Sequence, residues 1–348
     1  MLTRKLVTRA LVATAVVAVA GCGSSSGSSS PAATAASGVA SASATAATSA
    51  STGASPSASA ASGGVKSIFF ANPLPAYPDW GLADKCFNAE TAKLGIKGVT
   101  QGPTGLAIND QFVLDRISQA IAGDYDGLMA VPITPPAYDS LFERAKKDGM
   151  HIATLNTGDA TKQQDFTVGT DYPTQGAQVA ANIAKRSGQQ NVGIITNAPG
   201  GIGDVIINAF NKDLPANVKV VATAFDNADP AKTADVAAQM LTAHPEINII
   251  FSWEGTAVAG ITTAIKEKDK VGKVFGVVND LTPQVVDGIK EGTIYGTSQQ
   301  HFCEMAKQSV DKLVAVGNGE QVPAATDTGT TFVTKDNLDT VLAEAAAQ

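Results

Sequence analysis

The sequence has few of the residues that build disulfide scaffolds and metal centres. Its 348 residues include three histidines, none close to another, and three cysteines, Cys22, Cys86 and Cys303. Three cysteines are too few for a disulfide framework, and these lack the close pairing that zinc sites use. We therefore expect no metal site and no cofactor.

Positive charge is also scarce. Lys and Arg total 25 against 32 Asp and Glu, which gives a formal net charge of -7, and no basic block follows the N-terminus. A nucleic-acid partner requires a basic patch or stripe, so none is expected. With 44% apolar residues, the chain is long enough to bury the cores of two domains.

Catalytic motifs are lacking as well. No Gly-x-Ser-x-Gly sequence marks a hydrolase nucleophile. The glycine-rich turn at 200–203 follows a predicted strand, as a dinucleotide-binding loop does, but Ile206 stands in place of the third glycine. The turn predicts either a helix N-terminus that offers N–H groups to a ligand oxygen or simply a tight turn. We expect no enzyme activity, with a dinucleotide-dependent enzyme as one alternative.

The N-terminus has the pattern of an export signal. Arg4, Lys5 and Arg9 precede an apolar run at 10–20 that is too short to span a bilayer. The run ends in Val-Ala-Gly-Cys, which resembles a bacterial lipobox with Cys22 as the acylated residue. The sequence predicts a signal peptide at 1–21 and lipidation of Cys22, and ordinary cleavage after Ala20 is the alternative.

Residues 22–64 consist almost entirely of Ser, Ala, Gly, Thr and Pro. Such a segment buries too little apolar surface to offset the entropy of ordering it, so we predict a disordered linker. A flexible coil of this length has an end-to-end distance of roughly 35 Å. A lipid, a linker and a folded body together indicate an extracytoplasmic protein held at the outer face of the cell membrane.

From residue 65 the chain alternates predicted strands and helices almost to its end. The first strand, from Ile68 to Phe70, is apolar at every position, as in a parallel sheet covered on both faces. This alternation favours right-handed crossovers and parallel pairing. Because there are more units than one ordinary sheet holds, we predict an α/β fold with two doubly wound parallel-sheet lobes.

Polar side chains and both tryptophans stand where predicted strands end, which is the edge at which parallel sheets bind ligands. The residues, in chain order, are Asn72, Tyr77, Asp79, Trp80, Asn156, Thr157, Asn197, Trp253, Glu254, Asp280 and Gln300. Two rings among carboxylates and amides suit the C–H faces and hydroxyls of a sugar. The alternative is that the polar groups form turns and caps and that the rings pack helices against sheets.

Three stretches carry a family resemblance: GDYDGLMAVPIT at 123–134, LTAHPEINIIF at 241–251 and FGVVNDLTPQVVDGIKEGTIYGTSQQ at 275–300. With no DNA-binding helix-turn-helix before the first strand, residues from about 66 to about 338 resemble the substrate-binding lipoproteins of sugar ABC transporters, of the ribose-binding type I architecture. Gly102-Pro103-Thr104 is similar to the subgroup that binds autoinducer-2 and rhamnose.

The resemblance implies two lobes joined by a three-strand hinge, at 65–169 plus 301–323 and at 170–300 plus 324–348. It implies ligand contacts at Trp80, Asn156, Glu254, Asp280 and Gln300.

The sequence departs from ribose binders at three places. Asn156-Thr157 replaces an Asp-Arg pair, Asp204 replaces an Arg, and Glu254 replaces an Asn. Two basic contacts are lost and two acidic ones gained. We therefore expect a small neutral sugar or polyol, or one bearing an amino group, and neither ribose nor an anionic ligand.

The resemblance also places the helix with Cys86 and the helix with Cys303 in one lobe. Outside the cytoplasm two such cysteines can pair. A disulfide is therefore implied, with two buried free thiols as the alternative.

The function implied is that of a monomeric binding protein. It would capture its ligand in the cleft between the lobes and deliver it to the permease and ATPase subunits of an ABC transporter. A lipoprotein that senses an autoinducer-like molecule is the main alternative.

Overall fold

The structure is a computed structural model that describes residues 64–156, 161–227 and 229–346. The predicted signal peptide at 1–21, the lipidation site Cys22, the linker up to residue 63 and the candidate contact Thr157 lie outside the described residues. No helix in the described parts of the chain has the length and apolar character needed to cross a bilayer.

Twelve strands and ten α-helices alternate along the described residues. The strands are β1 Ser67–Ala71, β2 Lys97–Gln101, β3 Gly127–Ala130, β4 His151–Leu155, β5 Phe166–Gly169, β6 Gln190–Thr196, β7 Val218–Phe225, β8 Ile249–Ser252, β9 Phe275–Asn279, β10 Ile294–Gln300, β11 Ala325–Asp327 and β12 Thr330–Thr334. The helices are α1 Pro78–Lys93, α2 Asp110–Ala122, α3 Pro135–Lys147, α4 Tyr172–Ala184, α5 Gly201–Lys212, α6 Pro230–Ala243, α7 Val258–Glu267, α8 Pro283–Glu291, α9 Phe302–Gly317 and α10 Leu338–Ala346. A short 3-10 turn, Gly255–Ala257, precedes α7.

The strands form two six-stranded sheets with equivalent orders. The first has the order β11-β5-β4-β3-β1-β2 and the second β12-β10-β9-β8-β6-β7. Pairing is parallel throughout the first sheet, and in the second only β12 runs antiparallel, against β10. The predicted α/β fold with two doubly wound, mainly parallel sheets is confirmed.

Helix starts follow the local sequence signals. Several helices begin with Pro in the first turn, where its missing N–H costs nothing. Side-chain caps hold others in place: the Asn109 side chain accepts from the N–H of Phe112, and the Thr282 hydroxyl accepts from the N–H of Val285. These caps fix where each helix leaves the loop that follows a strand end.

Both faces of the first sheet are buried, as the apolar first strand predicted. Successive strand residues point to opposite faces. Phe70 and Met129 accordingly pack towards α1 and α9, whereas Phe69 and Leu128 pack towards α2 and α3. Full burial of each such side chain contributes about 1.5–3 kcal/mol, so both helix layers are strongly held.

The chain passes between the two sheets three times within the described residues. The crossings lie between β5 and α4, between β10 and α9, and between β11 and β12. They bond to one another: the N–H of Thr328 donates to the carbonyl of Gly169 (2.8 Å), and a hydrogen bond of 2.7 Å joins His301 Nδ1 to the Thr328 carbonyl. The third crossing lies beyond the boundary expected at 323, because Ala325–Asp327 pairs with β5 before the chain turns to the second sheet.

A disulfide joins Cys86 in α1 to Cys303 in α9, with the two Cα atoms 5.2 Å apart. Both side chains are buried in the first core. The bond ties the helix that follows the β1 loop to the helix that follows the second crossing.

Candidate functional site

A cavity of about 490 Å³ lies where the strand ends of the two sheets face each other. This volume is within the ordinary range of small-molecule sites, about 300–1,000 Å³. The candidate residues that line the cavity are Tyr77, Trp80, Asn156, Trp253, Glu254, Asp280 and Gln300, together with Asn197. The first sheet and the second both contribute, so the cavity is a cleft between the two sheets.

Asn156 and Gln300 meet at the hinge end of the cleft. Asn156 Nδ2 donates to Gln300 Oε1 (3.0 Å), and the Thr170 hydroxyl donates to the same oxygen (2.9 Å). Asn156 has a φ of 57°, a left-handed conformation that Asn tolerates better than most residues. The amide is thereby turned from the end of β4 towards the crossing strands.

Gln300 extends this hydrogen-bond network to the second sheet. Its Nε2 donates to Asp280 Oδ1 (2.9 Å), and Asp280, with a φ of 66°, follows the end of β9. The network therefore runs from the hinge to the carboxylate at the floor of the cleft.

Tyr77 closes the other end of this network from the first sheet. Its hydroxyl, carried by the loop after β1, donates to Asp280 Oδ2 over 2.9 Å. The approach requires glycine at 255, since a Cβ there would lie 2.1 Å from the Tyr77 oxygen. This direct bond between the two halves of the cleft is here called the Tyr77 latch, comprising Tyr77, Gly255 and Asp280.

The carboxylates at the cleft are poorly hydrated. Burial raises the pKa of Glu254 to about 7, and the charge of Asp226 adds to the rise while the Asn197 backbone opposes it. Burial likewise raises the pKa of Asp280, against hydrogen bonds from Gln300 and Tyr77 that favour its charged form.

Asp79 is buried beside the latch. It is 8% exposed, and burial first and then the charge of Asp280 raise its pKa, whereas a backbone hydrogen bond from Leu281 lowers it. Like charges close together in a buried place resist ionisation.

The two tryptophans approach the cleft from opposite sheets. Trp80 packs edge-to-face on Phe302, with ring centres 4.8 Å apart, and both rings line the cavity. Trp253 Nε1 donates to the hydroxyl of Thr196 over 3.0 Å. Each ring is thus fixed by its own core and still presents area to the cavity.

Three candidate residues do not line the cavity. Asn72 is fully buried, and its Nδ2 donates to the Trp80 carbonyl (3.0 Å) and to Asp84 Oδ1 (2.7 Å), so that it shapes the loop. The Asp204 carboxylate accepts from the N–H of Gly200 (2.7 Å) at the start of α5. Asp79 is buried beside the Tyr77 latch.

An apolar wall of the cleft was not predicted from the sequence. It consists of Leu74, Leu106, Ala107 and Ile108, of which Leu106 is 65% and Ile108 51% exposed. The last three lie between β2 and α2, next to the Gly-Pro-Thr turn. The sequence signal that could have predicted this wall is the presence of apolar residues in a loop that follows a strand.

Tyr172 was also missed. It lines the cavity at the start of α4, and its hydroxyl donates to the Asn156 carbonyl over 2.8 Å. Its position immediately after the first crossing becomes informative only when the crossing is known.

Comparison with known proteins identifies the class. The model of the periplasmic binding protein domain matches residues 64–321, which is most of the chain, and the protein belongs to this family. The described fold is the type I architecture expected from the sequence resemblance.

Individual relatives agree with this assignment. The D-allose-binding periplasmic protein of Escherichia coli is 26% identical over 215 residues, which cover 58% of this chain and 68% of the relative. The crystal structure of GanP, a glucose-galactose binding protein from Geobacillus stearothermophilus, has a TM-score of 0.72 at 21% identity and covers 79% of this chain and 99% of its own. An ABC transporter solute-binding protein from Burkholderia graminis in complex with D-arabinose has a TM-score of 0.69 at 26% identity, with 78% and 95% covered.

Proposed function

We propose that this protein captures a small sugar or polyol in the cleft and delivers it to the permease and ATPase subunits of an ABC transporter. The observation that carries the proposal is the pair of tryptophans, Trp80 in α1 beside the first sheet and Trp253 after β8 of the second, which line a cavity together with carboxylates and amides. Rings cover the C–H faces of a sugar while the polar groups bond its hydroxyls. The protein binds its ligand and does not transform it.

The comparisons support the same class of ligand. The relative from E. coli is named for D-allose, and the structure from B. graminis was solved with D-arabinose. The departures at Asn156 and Glu254, which both line the cavity, argue against ribose and against an anionic ligand.

The test is a thermal-shift screen of the purified full chain. The panel contains D-allose, D-ribose, D-arabinose, D-glucose, D-galactose and D-glucitol. A ligand at 100 times its Kd stabilises the folded state by about 2.7 kcal/mol, which raises Tm by several degrees. Intrinsic fluorescence should change with the same compounds, because both tryptophans line the cleft. A panel without any shift in Tm or fluorescence contradicts the proposal.

We further propose that the mature protein is a monomer anchored to the outer face of the membrane through lipidated Cys22. The support is the Val-Ala-Gly-Cys sequence and the Ser/Ala/Gly-rich segment that follows. Cys22→Ala should abolish lipid labelling and release the protein from the membrane fraction, whereas Cys86→Ala should leave labelling unchanged. Membrane retention of Cys22→Ala contradicts the anchor.

A further inference from the structure

The cleft contains carboxyl groups without a neighbouring cation. Glu254 and Asp280 line it, and Asp79 lies close enough for Asp280 to raise its pKa. Among the described residues that line the cleft, none is Lys, Arg or His. The ion pairs found in the described parts of the chain do not include these three carboxylates.

Two of the carboxylate oxygens lack a donor. Asp79 Oδ2 and Glu254 Oε1 are each buried and have no hydrogen-bond partner in the described structure. Buried acceptors are normally satisfied, and buried charges are normally paired. An ionised carboxylate accepts hydrogen bonds and donates none. Glu254, which lines the cavity, therefore needs a donor, best a positively charged one.

Glu254 lies on the second-sheet side of the cavity. Its carboxylate is next to the Asn197 backbone and Asp226, whereas both oxygens of Asp280 already accept hydrogen bonds, from Tyr77 and Gln300. Trp253, the residue before Glu254, lines the cavity as well. A carboxylate with an unpartnered oxygen, in a cavity that an indole also lines, is suited to an ammonium group, which gains from both the ion pair and the ring.

We propose that the sugar taken by this cleft carries a protonated amino group, held by the Glu254 carboxylate beside Trp253. The inference rests on the proposed function and narrows its ligand to amino sugars and amino polyols. The amides of Asn156, Asn197 and Gln300 bind the ligand hydroxyls, and the tryptophan rings pack against its C–H faces. Sugar acids and sugar phosphates are rejected, since no basic side chain among the described lining residues meets their charge.

The experiment compares matched pairs by calorimetry at pH 7 with the purified full chain. The amines are D-glucosamine, D-galactosamine and 1-amino-1-deoxy-D-glucitol, and their neutral partners are D-glucose, D-galactose and D-glucitol. N-Acetyl-D-glucosamine tests size without charge. We expect at least one amine to bind at least about tenfold tighter than its neutral partner, as one desolvated charge pair provides.

Variants assign the effect to Glu254. Glu254→Gln keeps the shape of the side chain and removes its charge, so it should weaken amine binding by about tenfold or more and weaken amine binding more than neutral-sugar binding. Glu267→Gln, an exposed position at the end of α7, is the matched control and should change neither. Circular dichroism and Tm establish that each variant is folded.

The outcomes separate the two proposals. Neutral sugars that bind as tightly as their amine partners overturn the charge inference and leave the proposed function standing. Choline and putrescine are included as cations without a sugar. If they bind and none of the sugars or amino sugars does, the sugar-binding function is overturned. If nothing in the panel binds, both proposals fail. An equal loss of amine and neutral-sugar affinity in Glu254→Gln overturns the role assigned to its charge.

Discussion

The Tyr77 latch makes a direct prediction about closure of the cleft. Tyr77→Phe removes one hydroxyl and leaves the ring in place. The lost bond, from Tyr77 to Asp280 Oδ2 at 2.9 Å, joins the loop after β1 to the second sheet. When the cleft opens, water satisfies both groups, so the cost of the substitution falls on the closed state.

The magnitude follows from the partners. A hydrogen bond to a charged group contributes about 1.5–3 kcal/mol, and less if Asp280 holds a proton. That free energy corresponds to a factor of roughly 10 to 150 in the equilibrium between closed and open forms. Because ligand is held by the closed form, the apparent Kd should rise by up to this factor.

The assay measures Kd for the tightest-binding compound of the sugar screen by tryptophan fluorescence, together with the radius of gyration by small-angle scattering. Tyr77→Phe should raise Kd and shift the ligand-free protein towards larger radii. The matched control is Tyr138→Phe, which removes another Tyr–Asp bond, to Asp110, between α2 and α3 on one side of the cleft. It should lower Tm and leave Kd unchanged.

An unchanged or lower Kd in Tyr77→Phe, with the fold intact, refutes the reasoning. It would mean that the ligand displaces the Tyr77 hydroxyl, so that the bond competes with binding.

Three further predictions concern the rings, the buried carboxylates and the disulfide. Trp80→Ala or Trp253→Ala should weaken ligand binding, measured by calorimetry, by about 1–3 kcal/mol. Full affinity in both variants would mean that the rings pack in the core and do not contact the ligand. The Tm of the ligand-free protein should fall as pH rises from about 5 to 8, because Asp79 binds its proton more tightly in the folded state than in the unfolded state. Asp79→Asn should flatten this dependence of Tm on pH, and an unchanged dependence would contradict the assignment. The Cys86→Ala/Cys303→Ala variant removes a disulfide between residues 217 positions apart and should lower the free energy of unfolding by up to about 5 kcal/mol. Its Tm should become insensitive to reductant. A Tm equal to that of the oxidised wild type counts against the bond.

The sign of the pH effect follows from the direction of the shift. A carboxyl group whose folded-state pKa is raised binds more protons when folded, between its unfolded and folded pKa values. Its contribution is therefore complete below the unfolded pKa near 4 and is lost as pH rises through the folded pKa, about 7 for Glu254.

Local sequence signals determined the elements of this protein. Apolar runs such as Ile68 to Phe70 mark strands buried on both faces, and Asn109, Thr282 and the prolines mark helix starts, because capping and φ restriction depend on neighbours in sequence. Strand-end positions also brought Trp80, Trp253 and Asp280 forward as candidates, since parallel strands end at one edge.

Only the tertiary structure decided which strand-end residues face the cleft. Asn72 and Glu254 both follow strands, yet Asn72 hydrogen-bonds to the Trp80 carbonyl inside the loop while Glu254 lines the cavity. The apolar wall at Leu106–Ile108, Tyr172, the crossing at Thr328 and the bond between Tyr77 and Asp280, 203 residues apart, have no local signal. Such contacts depend on how two sheets are set against each other, which is a property of long-range packing and not of any stretch of sequence.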